Sequence, residues 1–248
     1  MWGNLARCLP LLSLIAAPAI VQAQSVDEVL QRYFQASGGL DKMKAVQATR
    51  VSGRMSVGQG MEATFVRTSK RPNKVRLEFT VQGVTGIQAY DGETAWMLMP
   101  FMGQTQPELM PPDLARAMQE EADFDGPLVD YQTKGHQVEL VGRESVEGTP
   151  AYKLKVTLKN GDVSFYYLDA EYYLPLRTES TRRFQGQEFN VVTSFGDYKE
   201  VGGLMMPHAI TVTGQGPAAQ QLIIEKVELN PEIPDEHFRM PPKQGGEL

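Results

Sequence analysis

The chain has 248 residues, a formal net charge of −6 and 22% charged residues. Mild acidity argues against a nucleic-acid partner, which requires a basic face. The one cysteine is Cys8; a chain without its first 23 residues therefore has no disulfide, thiol nucleophile or cysteine metal site.

Residues 1–23 read as an export leader. Arg7 gives a positive start, and an apolar run from Leu9 to Val21 follows. That run is short against the roughly 20 apolar residues of a membrane span. It ends in Val21-Gln22-Ala23, with small residues where a signal peptidase reads, so a cut after Ala23 is predicted. A lipidated cysteine follows the apolar core, whereas Cys8 precedes it. The expected product is a soluble exported domain, residues 24–248, with no permanent membrane anchor and a disordered tail at 242–248. Losing Arg7 shifts its net charge from −6 to −7.

Ser25 opens a helix, with Glu28 completing a capping box. Val26, Val29, Leu30, Tyr33 and Phe34 form one apolar stripe, and Gly38 is placed to end it. Period-two alternation dominates from about residue 46. Val75, Leu77, Phe79 and Val81 alternate with Lys74, Arg76, Glu78 and Thr80. Tyr152, Leu154, Val156 and Leu158 alternate with Lys153, Lys155, Thr157 and Lys159, and Phe189, Val191, Thr193 and Phe195 continue the theme. Each segment has one dry and one wet face, as in antiparallel sheet. Turn signals stand at Gly58-Gln59-Gly60, Arg71-Pro72-Asn73, Asp91-Gly92, Asn160-Gly161, Gln185-Gly186 and Gly214-Gln215-Gly216. About 11 strands at hairpin spacing, without a βαβ rhythm, give a mainly β (α+β) fold.

Residues 100–131 interrupt the strands. Pro100, Pro107, Pro111 and Pro112 argue against strand there. Pro112 to Met118 reads as a short helix with Leu114, Ala117 and Met118 on one face, a natural lid.

No chemistry announces itself. His136, His208 and His237 each stand without a metal-ligand partner at motif spacing. There is no nucleophile elbow and no phosphate loop. Glu120-Glu121, Asp123 and Asp125 read as a solvated helix end, and Lys70-Arg71 and Arg182-Arg183 as solvated strand ends. No catalytic residue, metal or cofactor is expected, and the chain is read as a non-enzyme.

What does stand out is apolar. Trp96, Met97, Met99, Phe101 and Met102 cluster, followed by Leu109, Met110, Leu114 and Met118. Methionine adapts to variable apolar partners. These residues, with Phe79 and Phe165 on flanking strands, are the expected lining of a lipid cavity and its lid. The same methionines also suit a packed core, and composition does not choose between the two. In Val163 to Leu168 both faces carry bulky residues, which fits a lined concave face or a central strand covered on both sides.

Several segments carry a family resemblance. Tyr90-Asp91-Gly92-Glu93-Thr94-Ala95-Trp96 has the form Tyr-Asp-Gly-x-x-x-Trp. Leu140-Val141-Gly142-Arg143-Glu144 leads to Val146-Glu147-Gly148 and Tyr152-Lys153-Leu154. Tyr166-Tyr167-Leu168-Asp169 precedes Leu174-Pro175-Leu176-Arg177, and Asp197-Tyr198-Lys199-Glu200-Val201 precedes Gly203-Leu204 and Pro207-His208. In order and spacing, from about Ser25 to Pro242, they resemble the periplasmic outer-membrane lipoprotein-sorting proteins, the LolA/LolB-like superfamily. The resemblance implies a curved antiparallel sheet forming an incomplete β-barrel, with helices on its concave side. It implies a periplasmic carrier of lipoprotein or lipid acyl chains, with an inner-membrane transporter and an outer-membrane acceptor as partners. A sensory or regulatory module binding an envelope protein is the alternative on the same fold. A cavity arginine is also implied, for which Arg54, Arg67 and Arg76 are available.

Overall fold

The computed structural model describes residues 24–56, 60–184, 187–214 and 219–242. The expected leader, the tail beyond 242 and the turns at Gly58-Gln59, Gln185-Gly186 and Gln215-Gly216 lie outside them. Three α-helices are present among the described residues: α1 (Val26–Ala36), α2 (Leu40–Ala45) and α3 (Pro112–Glu121). The strands run β1 (Ala48–Ser56), β2 (Glu62–Lys70), β3 (Lys74–Val81), β4 (Val84–Tyr90), β5 (Ala95–Met99) and β6 (Gln104–Leu109) before α3. After it come β7 (Gln137–Val146), β8 (Thr149–Thr157), β9 (Val163–Asp169), β10 (Pro175–Phe184), β11 (Gln187–Val201), β12 (Leu204–Thr213) and β13 (Gln220–Leu229).

All thirteen form one sheet in the order β6-β5-β4-β3-β2-β1-β13-β12-β11-β10-β9-β8-β7. Every neighbouring pair is antiparallel. The chain is thus an up-and-down meander whose first and last strands pair. It stays open at β6 and β7, which the segment carrying α3 connects. This is the incomplete barrel expected, with thirteen strands where about 11 were anticipated. The surplus includes β6, which contains Pro107. Proline lacks a ladder donor, so it belongs on an edge strand, and β6 is an edge.

Directly paired residues share a face, so one dry face can be followed across the sheet. On β3, Val75 pairs with Tyr90, and Tyr90 with Ala95. On the far wing, Val156 pairs with Val138, Leu154 with Leu140 and Tyr166, and Tyr152 with Leu168. The helices sit on this inner face. The α1 stripe puts Val29 and Leu30 into a core with Leu128, Val138, Tyr152, Leu154, Val156 and Leu168. Fully burying such aliphatic side chains contributes about 1.5–3 kcal/mol each. The expected capping box is present: Ser25 accepts from the Glu28 amide, and Glu28 accepts from the Ser25 amide. The far end of α1 docks on β12 through Met205 N–H to Ser37 O, 3.1 Å. Gly38 follows with φ 111°, and a Cβ there would lie 2.1 Å from the Gly203 carbonyl oxygen. Only glycine fits that approach.

The other wing is closed by α3, where Met118 and Ala122 join Met110, Val75, Tyr90 and Ala95. At the acidic end of α3, Glu121 is exposed as expected, whereas Glu120 is largely withdrawn from solvent. Glu121 pairs with Arg67 of β2, and Glu120 with Arg182 of β10. Just beyond, Asp123 pairs with Lys134 and Asp125 with Arg71. In sheet order, β1, β13, β12 and β11 lie between β2 and β10. Five interstrand steps make an arc of about 24 Å. Two adjacent residues of α3 nevertheless reach both arginines, so the sheet must curl strongly beneath the helix.

On the outer face, the C-terminal segment packs Ile233 and Phe238 with Ala48. Lys70, read as a strand-end charge, holds Asp235 there together with Lys74.

Candidate functional site

Both wings of the inner face are packed, but the middle is not. Of the buried hydrophobic residues among those described, only Val191 comes from the four strands β10–β13. The inward side chains of β11, β12 and β13 are mostly apolar and half-buried, whereas β10 turns Thr178, Ser180 and Arg182 inward. One row crosses the sheet as Phe195, Ile210, Leu222 and Met55, each paired with the next. A parallel row pairs Val227 with Val51, Val51 with Arg67, and Arg67 with Leu77. The result is a greasy trough whose floor belongs to no closed core, crossed by α3.

At one end the trough deepens into a cavity of about 250 Å³. Its roof is Tyr33 of α1 and Ser37, which caps that helix, with residues 125–128. Its floor is Tyr166 of β9, Thr178 of β10, Phe195 and Tyr198 of β11, and Met205 and Pro207 of β12. The volume falls just under the ~300–1,000 Å³ range of small-molecule pockets. Phe195 and Tyr198 both face it although three residues apart. The reason is Asp197 between them, at φ 49°, which offsets the alternation.

Three phenols share this cavity. Tyr198 donates to the Pro175 carbonyl at 2.7 Å. Tyr33 is hydrogen-bonded to Ser37. Tyr166 has no hydrogen-bond partner among the described residues. Burial raises the titration point of all three, so they stay protonated at any physiological pH. Asp125, the charged group in the lining, is matched by Arg71, with Nη2 to Oδ1 at 2.6 Å.

The residues anticipated from sequence fall elsewhere. Phe79 and Phe101 meet on the inner face, ring centroids 5.4 Å apart, over Gly86. A Cβ on Gly86 would lie 2.6 Å from the Phe101 ring, so the bare backbone makes the seat. Met110, Met118, Leu114 and Met97 pack the core beneath α3. Met99 is buried as well, whereas Met102 is 77% exposed.

Three of the expected lining residues face outward instead. Trp96 pairs with Ala89 and Leu109, opposite to the Tyr90–Ala95 face. Its indole is buried under the C-terminal segment and donates to the Phe238 carbonyl at 2.8 Å. Leu109 is 65% exposed on the edge strand. Phe165 pairs with Lys155 and Glu179 on the outer face and lies under the Lys153 ammonium. None of the eleven expected residues lines the cavity under α1. Of the three available arginines, Arg67 alone points inward, toward Glu121. Arg54 pairs outside with Glu225 and Glu62, and Arg76 lies over Trp96.

The cavity residues carried a weaker signal. Leu168, Tyr166 and Ser164 share one face by alternation, and Phe195 belonged to a strand already read correctly. Tyr198 was hidden by the offset at Asp197.

No known family model matches the sequence, and no curated protein matches it. Solved structures do match the fold. A LolA superfamily protein from Nitrosomonas europaea is 15% identical with a TM-score of 0.56, covering 88% of this chain and 98% of that one. A DUF1329 family protein from Desulfovibrio piger is 14% identical at TM-score 0.59, again covering 88% and 98%. A putative outer membrane lipoprotein-sorting protein domain from Vibrio parahaemolyticus is 13% identical at TM-score 0.57, covering 85% and 94%. The chain therefore has a LolA-like fold. No helix among the described residues is long and apolar enough to cross a membrane.

Proposed function

We propose that the protein is a soluble periplasmic carrier that binds acyl chains of lipoproteins or related lipids for delivery to the outer membrane. The observation that carries this reading is the unfilled middle of the inner face. Three strands, β11–β13, present half-buried apolar side chains beneath α3, and among the described residues Val191 is their one contribution to the buried hydrophobic residues. A folded chain gains by burying such side chains, so a row left open beneath a strap is suited to a guest. An acyl chain laid along it gains about 0.8 kcal/mol per buried methylene, on the order of 10 kcal/mol gross for a chain of roughly 14 carbons. Ordering and immobilisation subtract much of that.

Release needs a part that opens. Among the described residues, α3 ties the two wings across the trough through Arg67 on one side and Arg182, Asp162 and Asn160 on the other. Those contacts are polar and partly solvated, so breaking them exchanges protein partners for water at small net cost. A loading transporter in the inner membrane and an acceptor in the outer membrane would complete the cycle.

The test is organic-solvent extraction of the protein purified from its native envelope, read by mass spectrometry. Near-stoichiometric acylated species are expected. Protein that carries no acyl species and takes up no uncharged fluorescent acyl ester would overturn the carrier reading.

A further inference from the structure

We propose that the cavity under α1 holds the uncharged end of the cargo, an ester or amide carbonyl, and rejects a free carboxylate or a phosphate. This rests on the carrier reading and names the cargo class.

The polar inventory is the argument. Hydroxyls line the cavity, and among the described residues no cation does. Asp125 is held by both guanidinium nitrogens of Arg71, a pair whose side chains are each only 19% exposed. The charged groups near Tyr166 are equally committed: Arg182 is bound by Glu120, and Asp123 by Lys134. A carboxylate or phosphate entering here would lose its water and find no free positive charge, with Asp125 close by. Burying an unpaired charge is strongly unfavourable.

A neutral carbonyl meets a different site. It needs one donor, and the Tyr166 O–H is a donor with no hydrogen-bond partner among the described residues. Tyr33 and Tyr198 are already engaged, with Ser37 and the Pro175 carbonyl. The cavity is too small for a whole acyl chain but adequate for its polar end and first methylenes. Phe195 belongs to both the cavity lining and the apolar row through Ile210 and Leu222, so the chain has a continuous path onward.

The experiment is competition against a fluorescent acyl ester on the purified protein at about pH 8, where a carboxylic acid is ionised. The competitors share one acyl chain: palmitate, methyl palmitate, monopalmitoylglycerol and palmitoyl glycerophosphate. The two neutral esters are expected to compete at least about tenfold better than the two anions. Tyr166→Phe, with the Trp96 emission unchanged as a check on folding, is expected to weaken the esters about three- to tenfold while leaving palmitate unaffected. Anions competing as well as esters would overturn the proposal, as would Tyr166→Phe leaving the ester affinity intact. Failure of the probe itself to bind would instead sink the carrier reading, and so is distinguishable.

Discussion

Arg67 on β2 donates to the carbonyl of Glu121, the last residue of α3, at 3.0 Å. That carbonyl is one of the four a helix leaves without an internal partner, and a cation is favoured at this end of the helix dipole. The contact thus caps the helix and fastens it over the trough at once. The Arg67 side chain is 39% exposed, so the effect is moderated by solvent. Arg67→Ala is expected to lower stability by about 1 kcal/mol in urea titration. It should also speed amide exchange in α3 selectively. Unchanged exchange there would show that the strap is held by other contacts.

Inner and outer apolar positions on neighbouring strands should behave differently. Ile210 faces the trough and pairs with Phe195, while Ile223 lies 46% exposed on the other face. Ile210→Ser is expected to weaken acyl binding about tenfold, the loss of two or so methylene contacts. Ile223→Ser should leave binding within about twofold, the span of its small effect on surface energy. Titration with an uncharged acyl ester reads both.

Gly86 makes the seat on which Phe101 folds back against Phe79. Gly86→Ala forces the Phe101 ring, already 44% exposed, off the sheet. The expected loss is about 1 kcal/mol, the size of an aromatic pair contact. In a Phe101→Ala background the same substitution should lose much less of its effect, and a double-mutant cycle measures the difference.

The C-terminal clasp should be acid-sensitive. Hydrogen bonds from Lys70, then Lys74, lower the Asp235 carboxyl from 3.8 to about 2. A carboxyl with a depressed folded value stabilises fully above its unfolded value and loses that contribution as pH falls through the folded one. The clasp should therefore hold at neutral pH and loosen between about pH 4 and pH 2. Trp96 reports on it, because its indole donates to the Phe238 carbonyl within the clasped segment. Its emission is expected to shift in that window. In Asp235→Asn the shift should already be present at neutral pH and show no step.

Much of this was legible from alternation. The dry residues of β3 and β8 were assigned to the correct face because mostly charged residues occupy the other, and those of β11 because mostly polar ones do. Alternation gave no purchase where both faces are bulky, and a one-residue error then turns every side chain over. In β9 that error chose Phe165 over Tyr166, and in the unbroken apolar run of β5 it turned Trp96 inward. The outer face of β5 proved apolar because the C-terminal segment covers it, and no local pattern could announce a cover about 140 residues away. Proline in β6 misled for a similar reason: its tolerance depends on the strand being an edge. Met110 and Met118 fill a core, whereas the open surface belongs to Val, Ile, Leu and Phe of the central strands.

The most direct test is photocrosslinking with an acyl ester that carries a diazirine along its chain, followed by peptide mapping. Saturable labelling concentrated on Phe195, Ile210, Leu222 and Met55 is expected, competed away by unlabelled ester. Labelling confined to the outer-face residues Ile223, Trp96 and Phe165, or none that saturates, would contradict an acyl-binding trough.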